Sequence, residues 1–333
     1  MIYNNKYQKY FDQYNDYSSK YLLGNKYCSL GKKITKTKYY QILYYKTLAS
    51  QDCIISKKRI FLVIPSIFNS PEILFLAKSK SFVDNLRHCG EVFLVDWFEV
   101  DEADYLLEDY VKRVVEIISK IISNLRQKKY QIDLVGHCIG GIIGMAATII
   151  VPNMIRTLTL LSTPWDFSHF ATARNIYQYL GLDYYVRNLP MIPKLHIQIL
   201  FFLLMPNYFS TKLDKFFTIT VPKIRDLSFR VENWLMSGTA LSRNTYIQIM
   251  DDVVGNNMLA KLQWKVNNIT IDPTLINKPV YQIIASNDKI VPKSSMLSLH
   301  KLFRESMIFE VPSGHISYLI NNNLDILFKE YTR

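Results

Sequence analysis

Apolar residues along this chain fall into two kinds of run. Short unbroken runs read as buried strands: Arg59 to Pro65 (RIFLVIP), Glu91 to Trp97 (EVFLVDW), residues 131–135, Arg156 to Leu161 (RTLTLL), Pro279 to Ala285 (PVYQIIA) and Met307 to Val311. The tyrosine-rich stretch Lys38 to Tyr45 reads as a first strand ahead of them. Helical periodicity fills the gaps. Lys80 to Cys89 predicts a short helix closed by Gly90. Glu102 to Asn124 predicts an amphipathic helix with Leu106, Tyr110, Val114, Ile117, Ile118 and Ile121 on one face. Further helices are expected over 139–149, near 293–303, and from Ile316 to Tyr331. Strand and helix in alternation predict an α/β chain with a mostly parallel central sheet and helices on both faces.

Two stretches depart from the alternation. Tyr3, Tyr7, Tyr10, Phe11, Tyr14 and Tyr17 recur at three- and four-residue steps, which predicts a helix over 4–22 with an aromatic face. Between 167 and 255 the strands stop, and Pro190, Pro193, Pro206 and Pro222 separate short helical patches. That length is too great for a loop and predicts a helical cap or lid inserted into the sheet domain. The expected division is a helical N-terminal segment over 1–30, core over 31–166, cap over 167–255, and core again over 256–333.

Composition narrows the picture. Of the 333 residues 49% are hydrophobic, enough for a large core. The net charge of +12 is uneven: residues 1–59 hold 12 Lys and Arg against 3 Asp and Glu. This reads as a solvated basic face, since no nucleic-acid motif accompanies it. Cys28, Cys53, Cys89 and Cys138 are scattered, with neither redox nor zinc spacing, so no metal or cofactor is expected. No apolar leader follows Met1, which predicts a reducing cytoplasm and free thiols. Ile197 to Met205 is too short to span a bilayer, so no transmembrane segment is expected.

The chemistry concentrates at Gly136-His137-Cys138-Ile139-Gly140-Gly141, between a predicted strand and a small-residue helix. This is the pattern of a nucleophile elbow, with Cys138 at the apex and glycines where a side chain would obstruct the turn. Two later strand ends carry the partners a nucleophile needs: Asp288 in SNDKIVP and His315 in PSGH. His315 would take the thiol proton and Asp288 would orient the imidazole. Nucleophile, acid, His is the order of the α/β-hydrolase fold. The backbone N–H of Ile139 is the expected first oxyanion donor, and that of Ile67 or Phe68 the second. His137 is expected to point away from the apex and pack.

Six stretches carry a further likeness: IPSIFN (64–69), VFLVDW (92–97), LVGHCIGG (134–141), LTLLSTPWDF (158–167), ASNDKIVP (285–292) and PSGHI (312–316). In order and spacing they resemble the poly(3-hydroxyalkanoate) synthases, from about residue 30 to the end. The resemblance implies an acyltransferase that polymerises (R)-3-hydroxyacyl-CoA thioesters through an acyl-Cys138 intermediate, with Asp288 and His315 completing the triad and CoA as a leaving group. Asp288 acting directly on the hydroxyl is a variant known in that family. Residues 70–76 lack the Tyr and Asp usual there. The chain resembles the short catalytic subunits in size. Its implied partners are therefore a second synthase subunit, a second copy of the chain, and the growing polyester or granule surface in the cytoplasm. Two other readings of the same residues are a Cys-dependent thioesterase or polyester depolymerase, and an inactive member that binds acyl-CoA, lipid or a partner. If a partner subunit is present, the basic, Tyr-rich N-terminus is a candidate docking surface for it. Deleting residues 1–30 is then expected to abolish co-purification with a partner subunit, and unchanged co-purification would count against that role.

Overall fold

The structure, a computed structural model, describes residues 8, 9, 12, 16, 31–48, 59–76, 81–124, 131–182, 184, 186–205, 219–320 and 324–332. The helix expected over 4–22 lies outside these, apart from Gln8, Lys9, Asp12 and Asp16, which are helical. The described core is an eight-stranded sheet. Its strands in chain order are β1 (Lys32–Lys36), β2 (Tyr40–Tyr45), β3 (Arg59–Ile64), β4 (Gly90–Trp97), β5 (Ile132–His137), β6 (Ile155–Leu161), β11 (Val280–Ala285) and β12 (Ser306–Val311). In space they run β1-β2-β4-β3-β5-β6-β11-β12. β1 and β2 are antiparallel to their neighbours, and every pairing from β4 to β12 is parallel.

The strands are apolar runs because both faces of a parallel sheet are covered. In β3, Leu62 and Ile64 join one apolar cluster while Phe61 and Val63 join the other, as alternation requires. Between the strands lie α1 (Phe82–Leu86), α2 (Leu107–Asn124) and α3 (Ile139–Ile150). All but the last two residues of α3 are buried, as expected of a helix that is apolar all round. The amphipathic α2 packs against it and buries Tyr110, Val114, Ile117 and Ile121 in the same apolar cluster.

Several boundaries differ from the sequence reading. A Lys-rich edge strand, β1, precedes the tyrosine strand; its exposed residues carry no burial signal. Ser81 caps α1 by accepting the Asp84 N–H at 3.1 Å. Gly90 opens β4 instead of closing that helix, because the backbone there lies so close to β3 that a Cβ would come 2.3 Å from the Arg59 carbonyl oxygen. Helix α2 starts at Leu107, not Glu102, because Asp109 accepts the Leu106 N–H at 2.9 Å and Glu102 turns outward to pair with Lys38. Leu107, not Leu106, is then the fully buried position.

Between β6 and β11 the chain forms α4 (Ala171–Tyr179), β7 (Met191–Ile192), α5 (Lys194–Leu204), α6 (Pro222–Ser237), β8 (Leu241–Ser242) and α7 (Arg243–Ile247). A π-helix continues α7 over Gln248–Gly255, and a small hairpin of β9 (Lys265–Val266) and β10 (Ile269–Thr270) follows. β7 and β8 pair as a two-residue ladder, which the sequence reading did not anticipate. The remaining helices are α8 (Lys293–His300), α9 (Ser317–Ile320) and α10 (Asp325–Thr332). The last two stand where a single helix over 316–331 was expected.

At the amino ends of the central strands, Asp133 is fully buried. It accepts hydrogen bonds from Thr157 Oγ1 at 2.8 Å and Arg59 Nη1 at 3.2 Å, with Arg156 at 3.7 Å. It thereby ties β3, β5 and β6 at the edge opposite the elbow. Burial raises its carboxyl pKa, and the two guanidiniums and Thr157 oppose that rise. Asp133→Ala strands Arg59 without its partner and is expected to cost about 3 kcal/mol. A urea midpoint equal to the parent's would show that the network contributes nothing.

Candidate active site

Cys138, Asp288 and His315 follow β5, β11 and β12 respectively, at the carboxyl edge of the sheet. Cys138 sits between β5 and α3 at φ 55°, ψ −125°, a conformation that costs a non-glycine residue about 1–3 kcal/mol. It is held by its own N–H on the Leu161 carbonyl and by its carbonyl under the Gly141 N–H, both at 2.9 Å. The flanking glycines are dictated by close approach. A Cβ on Gly136 would lie 2.4 Å from Gly141 Cα, and one on Gly140 would lie 2.2 Å from the Ile64 carbonyl oxygen.

The three side chains meet. His315 Nδ1 donates to Asp288 Oδ2 at 2.7 Å. The other oxygen, Asp288 Oδ1, accepts the N–H groups of Ile290 at 2.8 Å and Val291 at 2.9 Å, which fixes the carboxylate in place. Cys138 lies close enough to the imidazole to act on its protonation. Burial disfavours the imidazolium, but Asp288 and Cys138 outweigh it by charge and hydrogen bonds. The His315 pKa is held above the ordinary histidine value.

Ile139 is the first residue of α3, where an N–H lacks an intrahelical acceptor. Phe68 lines the space in front of Cys138, and its N–H points to Ser66 Oγ at 3.3 Å. Ile67 is turned into the core. The other described free thiol, Cys89, is distant in chemistry as well as place: burial pushes it up to about 11. Cys28 and Cys53 lie outside the described residues.

Sequence reasoning missed several neighbours. His137 does pack, but against the candidate base itself: the two rings lie 5.1 Å apart. Burial, with the neighbouring His315 charge, pushes its pKa down to about 3. Tyr318 is buried beside Asp288 and Cys138, and the buried Ser162 takes φ 46°. Ser162 lies within the LTLLSTPWDF stretch and Tyr318 outside every motif, and no periodicity signals that either stands beside the site. Among the described residues no group of three His, Cys, Asp or Glu could hold a metal ion, and no helix is long and apolar enough to cross a membrane.

In front of Cys138 is a cavity of about 130 Å³. Its walls come from the core, through Phe68, Ile139 and Ile290, and from the segment between β6 and β11, through Phe167, Leu200, Phe201, Tyr246 and Met250. Arg174 is the charged residue on its wall, with Nη1 donating to the Gly255 carbonyl at 3.2 Å.

A parallel sheet with a nucleophile elbow, an acid and a histidine at successive strand ends defines a class. The family profile of the alpha/beta hydrolase fold matches residues 76–321, and the chain belongs to that family. Within it, the chain is similar to poly(3-hydroxyalkanoate) polymerase subunits, in agreement with the motif resemblance. It is 26% identical over 275 residues to subunit PhaC of Haloferax mediterranei, covering 78% of this chain and 55% of that protein. The match to the Synechocystis PhaC subunit is 25% identical and covers 79% of this chain and 73% of that protein. The chain thus spans little more than half the length of the haloarchaeal relatives. Among solved structures, a meta-cleavage product hydrolase from Pseudomonas fluorescens superposes with a TM-score of 0.53 at 13% identity, over 91% of this chain and 96% of that one. That likeness concerns the fold alone.

Neutral, buried His137 makes a pH prediction. Between about pH 3 and the ordinary value of 6.5, the unfolded chain binds a proton at this residue and the folded chain does not. Its contribution is complete above pH 6.5 and is lost as pH falls, at up to about 1.4 kcal/mol per pH unit. His137→Gln is expected to flatten the acid limb of a urea-midpoint profile between pH 6.5 and 4. Parallel profiles for the two proteins would refute this.

Proposed function

We propose that the chain is an acyltransferase that polymerises (R)-3-hydroxyacyl groups from CoA thioesters. The observation that carries the reading is a thiol at a hydrolase elbow, beside a hydrogen-bonded His–Asp pair and facing an apolar cavity. The chain's similarity to poly(3-hydroxyalkanoate) polymerase subunits supports the substrate class.

The chemistry suits cysteine. His315 takes the Cys138 proton, and the thiolate sulfur attacks the thioester carbonyl carbon. The carbon–sulfur bond to CoA breaks, and the departing thiolate collects the proton from the imidazolium. One thioester has become another, so the acyl-enzyme forms near thermoneutrality and stays a strong donor. In the second half, His315 deprotonates the hydroxyl of a monomer or chain end, and that oxygen attacks the acyl carbon. Cys138 leaves and is reprotonated by His315. The N–H of Ile139 and that of Phe68 or Ile67 hold the oxyanion in both halves. Asp288 keeps the imidazole in the tautomer that can do this. Polymer forms only if water does not intercept the acyl-enzyme, and the apolar walls supply that exclusion.

In this reading residues 167–255 act as the cap and the chain works in the cytoplasm at a polyester surface. A second synthase subunit or a second copy completes the assembly. The deciding experiment is CoA release from 3-hydroxybutyryl-CoA with product mass read in parallel, with and without a co-expressed partner. Release with oligomeric product, abolished in Cys138→Ala, is expected. Release of free 3-hydroxybutyrate alone would replace the reading by a thioesterase, and no release under either condition would point to a binding protein.

A further inference from the structure

Two rings meet in the wall of the cavity in front of Cys138. Phe68, on the loop after β3, meets Phe201 of α5 edge to face, with centroids 5.4 Å apart and planes at 82°. Both rings line the cavity with Cys138. Contact at that distance leaves no water-sized gap between core and cap at this point.

Phe201 is part of a stripe. Ile197, Leu200, Phe201 and Leu204 fall at the i, i+3, i+4, i+7 positions of α5, and all four face the cavity. The helix that presents them is also tied to its neighbours. His196 Nε2 shares hydrogen bonds with Tyr246 Oη of α7 at 2.8 Å and Tyr177 Oη of α4 at 3.1 Å. A helix fixed to both neighbours cannot swing its aromatic residue aside at low cost, so the ring is a stop.

We infer that Phe201, backed by Phe68, sets the length of acyl group that reaches Cys138, and admits short 3-hydroxyacyl groups while excluding longer ones. The volume agrees. An apolar cavity of roughly 150 Å³ takes a benzene, about six heavy atoms, the size of a 3-hydroxybutyryl group, and this one is about 130 Å³. A 3-hydroxyoctanoyl tail would need the space Phe201 occupies. The inference rests on Cys138 being the acyl-accepting nucleophile of the reading above.

The test uses alkyl methanethiosulfonates from methyl to octyl on the full chain, with modification of Cys138 followed by protein mass. These reagents leave an alkyl disulfide on the thiol and read cavity depth whatever reaction the protein catalyses. In the parent, butyl is expected to react faster than octyl by on the order of tenfold or more. Phe201→Ala is expected to bring octyl level with butyl while methyl is unchanged. Phe201→Leu, which keeps the helix packed, is expected to fall between, and Phe201→Trp to move the cut-off below butyl. The same order is expected for acylation by 3-hydroxybutyryl-CoA against 3-hydroxyoctanoyl-CoA. A length profile that stays the same in all three variants, or a uniform slowing at every length, would overturn the inference. A shifted profile without CoA release would keep Phe201 in this role and remove the polymerase reading.

Discussion

Everything at the active edge depends on how closely β5, α3 and β3 approach at residues 136–141. The turn from strand to helix leaves no room for a side chain at Gly136 or Gly140, since backbone atoms of Gly141 and the Ile64 and Pro65 carbonyls stand where a Cβ would go. That approach places Cys138 at a positive φ, out over the end of the sheet, and puts the first amide of α3 beside its sulfur. The strain is local and of the order of 1–3 kcal/mol. It is held because α3 is buried nearly throughout and cannot relax outward.

The partners of Cys138 arrive by sheet order. β6 lies next to β5, then β11, then β12, so the turns after β11 and β12 bring Asp288 and His315 to the same edge from far downstream in the chain. Asp288 spends one oxygen on two backbone N–H groups and the other on His315. His137 then occupies the other side of the imidazole as an uncharged ring. The imidazole thus lies between a fixed carboxylate and a buried, uncharged ring.

The segment over the site is fastened to the core by polar side chains. Gln248 accepts the Leu107 N–H at 2.8 Å and donates to Glu108, which also receives Trp264 Nε1 at 2.7 Å. Trp234 Nε1 reaches the Ser70 carbonyl at 2.7 Å, and Asn257 bridges Phe167 and Asp166. These bonds anchor the cavity wall at several points, so its shape is a property of the folded chain and not of a loose flap. The π-helix over 248–255 brings Ile249, Met250 and Val254 into that wall, a placement in keeping with the tendency of such turns to occur at functional sites.

The strand runs, the elbow and the order Cys138, Asp288, His315 were legible from sequence because each is local: a period, a turn that needs glycine, or a short motif after a strand. Element ends were less so. Leu107 begins α2 because of Asp109 and Lys38, and the Lys-rich β1 is a strand only because β2 lies beside it. Tertiary structure alone decided that His137 would flank His315, that Asp133 would gather Arg59, Arg156 and Thr157, and that Phe68 and Phe201 would close one cavity. Those contacts join residues far apart in the chain. Their geometry is set by how layers pack, and no local pattern of hydrophobic and polar positions encodes a distance between two faces.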